Sequence, residues 1–162
     1  MLFRSIVEGL SLLGTSGISQ PLSSAGHVET TIADLREKIK LVSTGKTAPL
    51  PLVFCVGENG LNLAQKLGIP TEQLVKPANW LGPMLVEAGI QRVKEILLFG
   101  YHGKLIKLAG GIFHTHHYLA DGRLEILTAF AAKVGLPIPI LQRIFASKTA
   151  EDALQCLQEL DP

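Results

Sequence analysis

The chain has 162 residues, 47% hydrophobic and 18% charged, with a formal net charge of +1. At this length one domain around one core is expected, since domains centre on roughly 100–150 residues, while disorder and electrostatically driven nucleic-acid binding are disfavoured. No apolar run nears the roughly 20 residues of a membrane span, and the opening "MLFRSIVEGLSLLG" lacks the order of a signal peptide, so the expectation is a soluble, cytoplasmic protein that engages neither membrane nor nucleic acid.

In chain order, Leu10–Leu13 reads as a short apolar strand that dissolves into a loop of Gly, Ser, Thr and Pro. Residues 1–26 are therefore expected to be a junction, followed by an α/β domain over 27–162. Val28, Ile32, Leu35, Ile39 and Val42 recur at helical steps and place one apolar stripe on a helix from about His27 to Leu41. "LVFCV", residues 52–56, is a continuous apolar run of the kind found in a strand covered on both faces. The glycine turn "GENG" feeds a helix that stops near Gly68. A brief strand at Leu74–Lys76 ends at Pro77. Helical spacing resumes from Asn79, with Pro83 in the first turn, and "EILLFG", residues 95–100, is a further buried strand. Alternating strands and helices predict a three-layer α/β/α, Rossmann-like domain with a mainly parallel sheet.

The rest reads as helical. Leu105, Ile106, Leu108, Ala109, Ile112 and Phe113 fit one face, with Lys104 and Lys107 on a solvated opposite face. Leu124, Leu127, Phe130, Ala131 and Val134 form another stripe. "LPIPILQRIF" suits either an edge strand or an extended entry into a short helix. Thr149 and Asp152 resemble a capping pair for a last helix. Cys55 and Cys156 lack the short spacing of metal ligands and read as reduced, buried thiols.

In an open parallel sheet, ligands bind outside the carboxyl ends of the strands. Two glycine-rich turns stand there, Gly57 to Gly60 and Gly100 to Gly103. Glycine lets a backbone approach a ligand, and the first amides of the next helix offer N–H groups to a carboxylate or phosphate; equally, both are tight strand-to-helix turns. Neither fits GxGxxG or GxxxxGK[ST], so no NAD or ATP site is supported. Further on, His114 and His116 share a side if residues 113–117 are extended, once Gly110 and Gly111 end the preceding helix. Zinc would need a third ligand, Asp121 or His102, and no metal site is assigned. Hydrogen bonding to a polar ligand, or proton transfer with a pKa of about 6.5, is the simpler role. His117 and Tyr118 read as groups that bond carbonyls around a helix end. Asp121 suits capping a helix that begins near Gly122. Arg123 then stands against the helix dipole, which hints at a ligand or an acidic partner, and Lys104 suits a carboxylate. Trp80 and Met84 read as core.

"GKLIKLAGGIFHTHHYLADGRLE" closely resembles the signature of the cobalt-precorrin-5B (C1)-methyltransferase family of anaerobic cobalamin biosynthesis, near GKLIKxAAGIFHTHSxxADxRxE. "GLSLLGTSGISQPLS", "NWLGPMLVEA" and "EILLFGYHGK" are similar to its further motifs GISxxGTTGIVxPMS, NFVGxMxxEA and IVLVGHxGK. The likeness runs from about Gly9 to Leu141. It implies S-adenosyl-L-methionine as methyl donor, with cobalt present only as part of a corrinoid substrate. It further implies that His114 or His116 takes a proton or touches the ring, and that Gly57, Asn59, Gly60, Asn79, Gly100, His102, Gly103, Lys104, Thr115, Asp121 and Arg123 belong to the substrate and donor pocket. The sequence departs from the family at "GENG", where PGNxG is usual, at Tyr101 in place of the first histidine of GHxGK, and at "HTHH" and "ADGR". It also lacks the family's long amino-terminal domain with a GYTTGxCA-like segment. The resemblance thus implies a carboxyl-terminal domain, whether a truncated product, half of a split gene or a deliberately cut piece, that is inactive without the missing part; a separate partner chain is one form that part could take. Two rivals stand beside it: a noncatalytic tetrapyrrole-binding or scaffold domain, and a small metal-dependent hydrolase built on the histidines.

Overall fold

The computed structural model describes residues 25–43 and 50–160. The strand expected at Leu10–Leu13, the junction around it and most of the loop before Leu50 lie outside the described residues. Among the described residues, three strands, β1 (Leu52–Val56), β2 (Leu74–Val75) and β3 (Ile96–Gly100), form a parallel sheet in the order β2-β1-β3. Val53 pairs with Leu74 on one side of β1 and with Leu97 on the other. Among the described residues, seven α-helices accompany them: α1 (Ala25–Ser43), α2 (Glu58–Lys66), α3 (Leu81–Ile90), α4 (His102–Ala109), α5 (Arg123–Lys133), α6 (Ile138–Phe145) and α7 (Ala150–Gln158).

β1 is buried at all five positions because both of its faces are covered. Side chains alternate along a strand, so Leu52, Phe54 and Val56 meet Leu35 and Val42 of α1 and Leu81, Met84 and Ala88 of α3, with Leu105 and Leu108 of α4 packed alongside. Val53 and Cys55 meet Ala64 of α2, with Leu61 and Phe99 beside them. Each large side chain so removed from water contributes about 1.5–3 kcal/mol. The expected α/β fold with a parallel sheet and helices on both faces is therefore the observed one.

The single expected core is divided, however. Ala131, Ile144 and Ala153 centre a third cluster where α5, α6 and α7 pack together, and this small bundle meets the sheet domain through α4. "LPIPILQRIF" resolves as a helix: Pro137 is the N-cap of α6 and Pro139 lies in its first turn, where a missing N–H costs little. Thr149 and Asp152 form a complete capping box on α7.

Several expectations need correction. α4 stops at Ala109, so Ile112 and Phe113 are not on its apolar face; the chain turns at Gly110 and at Gly111, whose φ is +77°. Lys107, expected in solvent, is buried with 2% exposure. Phe130 and Val134 are exposed, since α5 turns only its Leu124, Leu127 and Ala131 side toward α6 and α7. Cys156 is half-buried, whereas Cys55 is buried as expected. Among the described residues, no helix is long and apolar enough to cross a membrane.

Candidate functional site

The carboxyl ends of the strands open on one edge. Val56 is in register with Gly100 in the neighbouring parallel strand, so the turns that follow β1 and β3 lie side by side. The β1 turn is shorter than "GENG" suggests: Gly57 alone is the N-cap of α2, and Glu58, Asn59 and Gly60 already form the helix's first turn. Gly57 has φ +78°, and a Cβ built there would lie 2.9 Å from Lys104 Nζ. The Lys104 ammonium therefore reaches from the first turn of α4 onto the turn that follows β1. Neither α2 nor α4 has a side-chain cap, which leaves their first amides available to an anion.

The other glycines have a packing reason. A Cβ on Gly60 would stand 2.2 Å from the Phe99 carbonyl oxygen, so α2 rests directly on the end of β3. Gly100 approaches Val56, and Gly103 lies against the Tyr101 ring and Ala150 of α7. At these three positions the absence of a side chain serves contact within the protein.

The histidine strip runs extended from Ile112 to His116 and is pinned to the start of α3. Gly82 N–H donates to Phe113 O at 3.2 Å, Thr115 N–H donates to Asn79 O at 3.2 Å, and the Thr115 hydroxyl donates to Asn79 Oδ1 at 3.2 Å. Asn79 and Thr115 thus come together as a structural pair. His114 and His116 are brought near each other, with ring centroids 6.4 Å apart. His114 Nδ1 accepts from His116 N–H at 3.4 Å, and His116 Nδ1 accepts from Tyr118 N–H at 3.3 Å. In the neutral rings, accepting at Nδ1 leaves the proton on Nε2. His114 Nε2 is buried and has no partner among the described residues. Burial, then His116, then Lys107 push the His114 pKa below its ordinary value. Trp80, expected in the core, is only half-buried and stands edge-on to His114 at 4.7 Å. His117 stacks on His116, and Tyr118 is 85% exposed.

Asp121 and Arg123 pair with each other. The guanidinium donates to both carboxylate oxygens, at 2.6 and 2.7 Å, and Arg123 N–H donates to Asp121 Oδ1 at 3.4 Å. The N-cap itself is Gly122, so Asp121 supports the helix from one residue earlier. The cation that looked misplaced on the first turn of α5 is neutralised within the chain, and the pair holds Asp121 below the usual carboxylate range. His102 opens α4 with Nε2 3.7 Å from Glu151 Oε2. His102 and Arg123 stand on the lining of an apolar cleft of about 390 Å³ between α4, α5 and α7. Among the described residues, no three His, Cys, Asp or Glu side chains are arranged to hold a metal ion.

Sequence reasoning missed Lys107. Its ammonium donates to Thr115 O at 3.2 Å and to Ala120 O at 2.8 Å. Gly103 and Gly110 lie four residues before it and three after it, on the same helical face, and that glycine-lined side was the available sign of close packing.

Residues 114–162 match the family model described as CbiD, C-terminal domain. Along 96% of its length the chain is 60% identical to the cobalt-precorrin-5B C(1)-methyltransferase of Nostoc sp., covering 40% of that protein. The chain is similar to a carboxyl-terminal portion of the proteins of this name. The enzyme of the same name from Cyanothece sp. is 61% identical over 96% of the chain and 39% of its own length, and that from Thermosynechococcus vestitus 55% over 97% and 41%. The chain thus spans about two fifths of the curated relatives it matches. No solved structure matches it.

Proposed function

We propose that the chain forms part of the pocket in which cobalt-precorrin-5B is methylated at C1, with S-adenosyl-L-methionine as donor and cobalt carried only by the substrate. The observation that supports this most is the meeting of Lys104 with Gly57 at the paired exits of β1 and β3, in a chain 60% identical to an enzyme of that name. The donor supplies an electrophilic methyl on sulfur: as the new carbon–carbon bond forms, the carbon–sulfur bond breaks and its electron pair leaves with the sulfur. Such a transfer depends mainly on alignment.

Alignment is what these residues suit. The Lys104 ammonium and the uncapped amides of α2 and α4, at Glu58, Asn59, His102 and Gly103, would take the acetate and propionate arms of the macrocycle. His114, with its proton on Nε2 and no partner there among the described residues, would donate to a carboxylate or carbonyl of the ring once a shift of the strip exposes that now buried atom. In that tautomer it is a ring contact; accepting a proton at Nε2 would first require Nδ1 to release the His116 amide. Arg123, turned toward Asp121, would meet an arm only by sharing its guanidinium.

Titration calorimetry of the 162-residue chain with S-adenosyl-L-methionine and with a carboxylate-bearing cobalt corrinoid tests the reading. Binding of both supports a methyltransferase pocket. Corrinoid binding without donor binding favours a tetrapyrrole-binding domain that works with a partner chain. Binding of neither, with intact fold, overturns the site.

A further inference from the structure

The histidine strip is held by one residue at three points. The Lys107 carbonyl accepts the amides of Gly110 and Ile112, each at 3.0 Å, which fixes the entry to the strip. The Lys107 ammonium accepts nothing and donates to Thr115 O in the middle and Ala120 O at the far end. Between those two carbonyls the chain makes one turn, with Leu119 and Ala120 N–H both donating to His116 O. Two main-chain oxygens five residues apart thus converge on one buried cation. From this geometry we infer that Lys107 is a positioning residue, which clamps the turn at residues 115–120 and so sets where His114 and His116 stand at the proposed site.

A buried ammonium is costly unless its hydrogens find acceptors. An alkyl side chain would fill the same volume without that cost, so plain packing does not call for lysine here. Loss of the ammonium would leave both carbonyls without this donor and free the turn to rearrange, while α4 keeps its own main-chain bonds. The charges that face Lys107 are Asp121, Arg123 and Lys104; those that face His114 are His116 and Lys107. Removing Lys107 takes away one group that disfavours the His114 imidazolium and loosens the burial that disfavours it most.

The inference takes the histidine strip as part of the proposed site, but its test uses no ligand and so fails or succeeds apart from the methyl-transfer reading. Lys107→Met and Lys107→Gln are prepared in the 162-residue chain and compared with the parent by amide hydrogen exchange and by histidine NMR titration. In both variants, exchange at residues 116–120 is expected to rise by about tenfold or more, exchange in β1 to stay near parental rates, and the His114 midpoint to move upward. If Lys107→Met fails to fold, Lys107→Gln is read by the same criteria. Unchanged exchange at 116–120, an unmoved His114 midpoint, exchange raised evenly along the chain, or failure of both variants to fold would overturn the clamp.

Discussion

At His114, three influences favour the neutral ring: burial first, then His116, then Lys107. The folded pKa therefore lies below the reference value of about 6.5 that the unfolded chain keeps. Between the two values the unfolded state binds more proton, so this residue costs stability as pH falls below about 6.5 and adds no further loss once the folded value is passed. Thermal melts between about pH 8 and about pH 5 should show a steeper acid decline for the parent than for His114→Gln. Parallel profiles would mean that the ring is not held neutral by the fold. The pairing of His114 with His116 was legible because alternation in an extended strip is a local rule. Lys107 was not, since its burial depends on where residues 115 and 120 return; for Arg123 an acidic partner was expected, but not that it would be Asp121, because that salt bridge depends on the geometry of the turn at Gly122.

Among the elements, each strand-to-helix unit depends on how closely a helix approaches the neighbouring strand. Gly60→Ala would put a Cβ 2.2 Å from a main-chain oxygen of β3, and no flexible group can yield there. A loss of about 3 kcal/mol or more is expected in denaturant titration, against about 0.5 kcal/mol or less for Ala at exposed Asn59. A Gly60→Ala protein as stable as the parent would show that α2 can retreat from β3. Thr149→Ala should cost about 1 kcal/mol, because it removes the acceptor of the Asp152 amide at 3.1 Å and half of the reciprocal pair; a change in midpoint too small to measure would show the box to be inert. The capping box could be read from four adjacent residues. The role of Gly60 could not, because its contact lies 39 residues away along the chain at Phe99.

For the whole molecule, the sheet and the bundle are unequal. The sheet buries Leu52, Phe54, Leu81 and Met84 on one face and Val53, Cys55 and Leu74 on the other, whereas the fully enclosed centre of the bundle is Ala131, Ile144 and Ala153. Native-state hydrogen exchange should therefore find the amides of α6 and α7 opening at lower denaturant than those of Val53, Phe54 and Cys55. One common opening curve for both regions would instead make the chain a single cooperative unit. The sheet was legible from sequence because a short, β-rich, continuous apolar run such as "LVFCV" suits a strand covered on both faces. The bundle was legible as helices but not as a separate cluster, since stripes mark which face is apolar without saying what it meets.

Placing β1 at the centre of the sheet also orders events during synthesis. Its two neighbours are made later than itself, one near residue 75 and the other near residue 100. At roughly 5–20 residues per second, the central strand would wait about 2–9 s between its own translation and that of its last partner. Throughout that interval a wholly apolar ribbon has at least one open edge, and the glycine-bearing turn after it cannot receive Lys104. The polar edge proposed as the site therefore comes into being only after the sheet has closed.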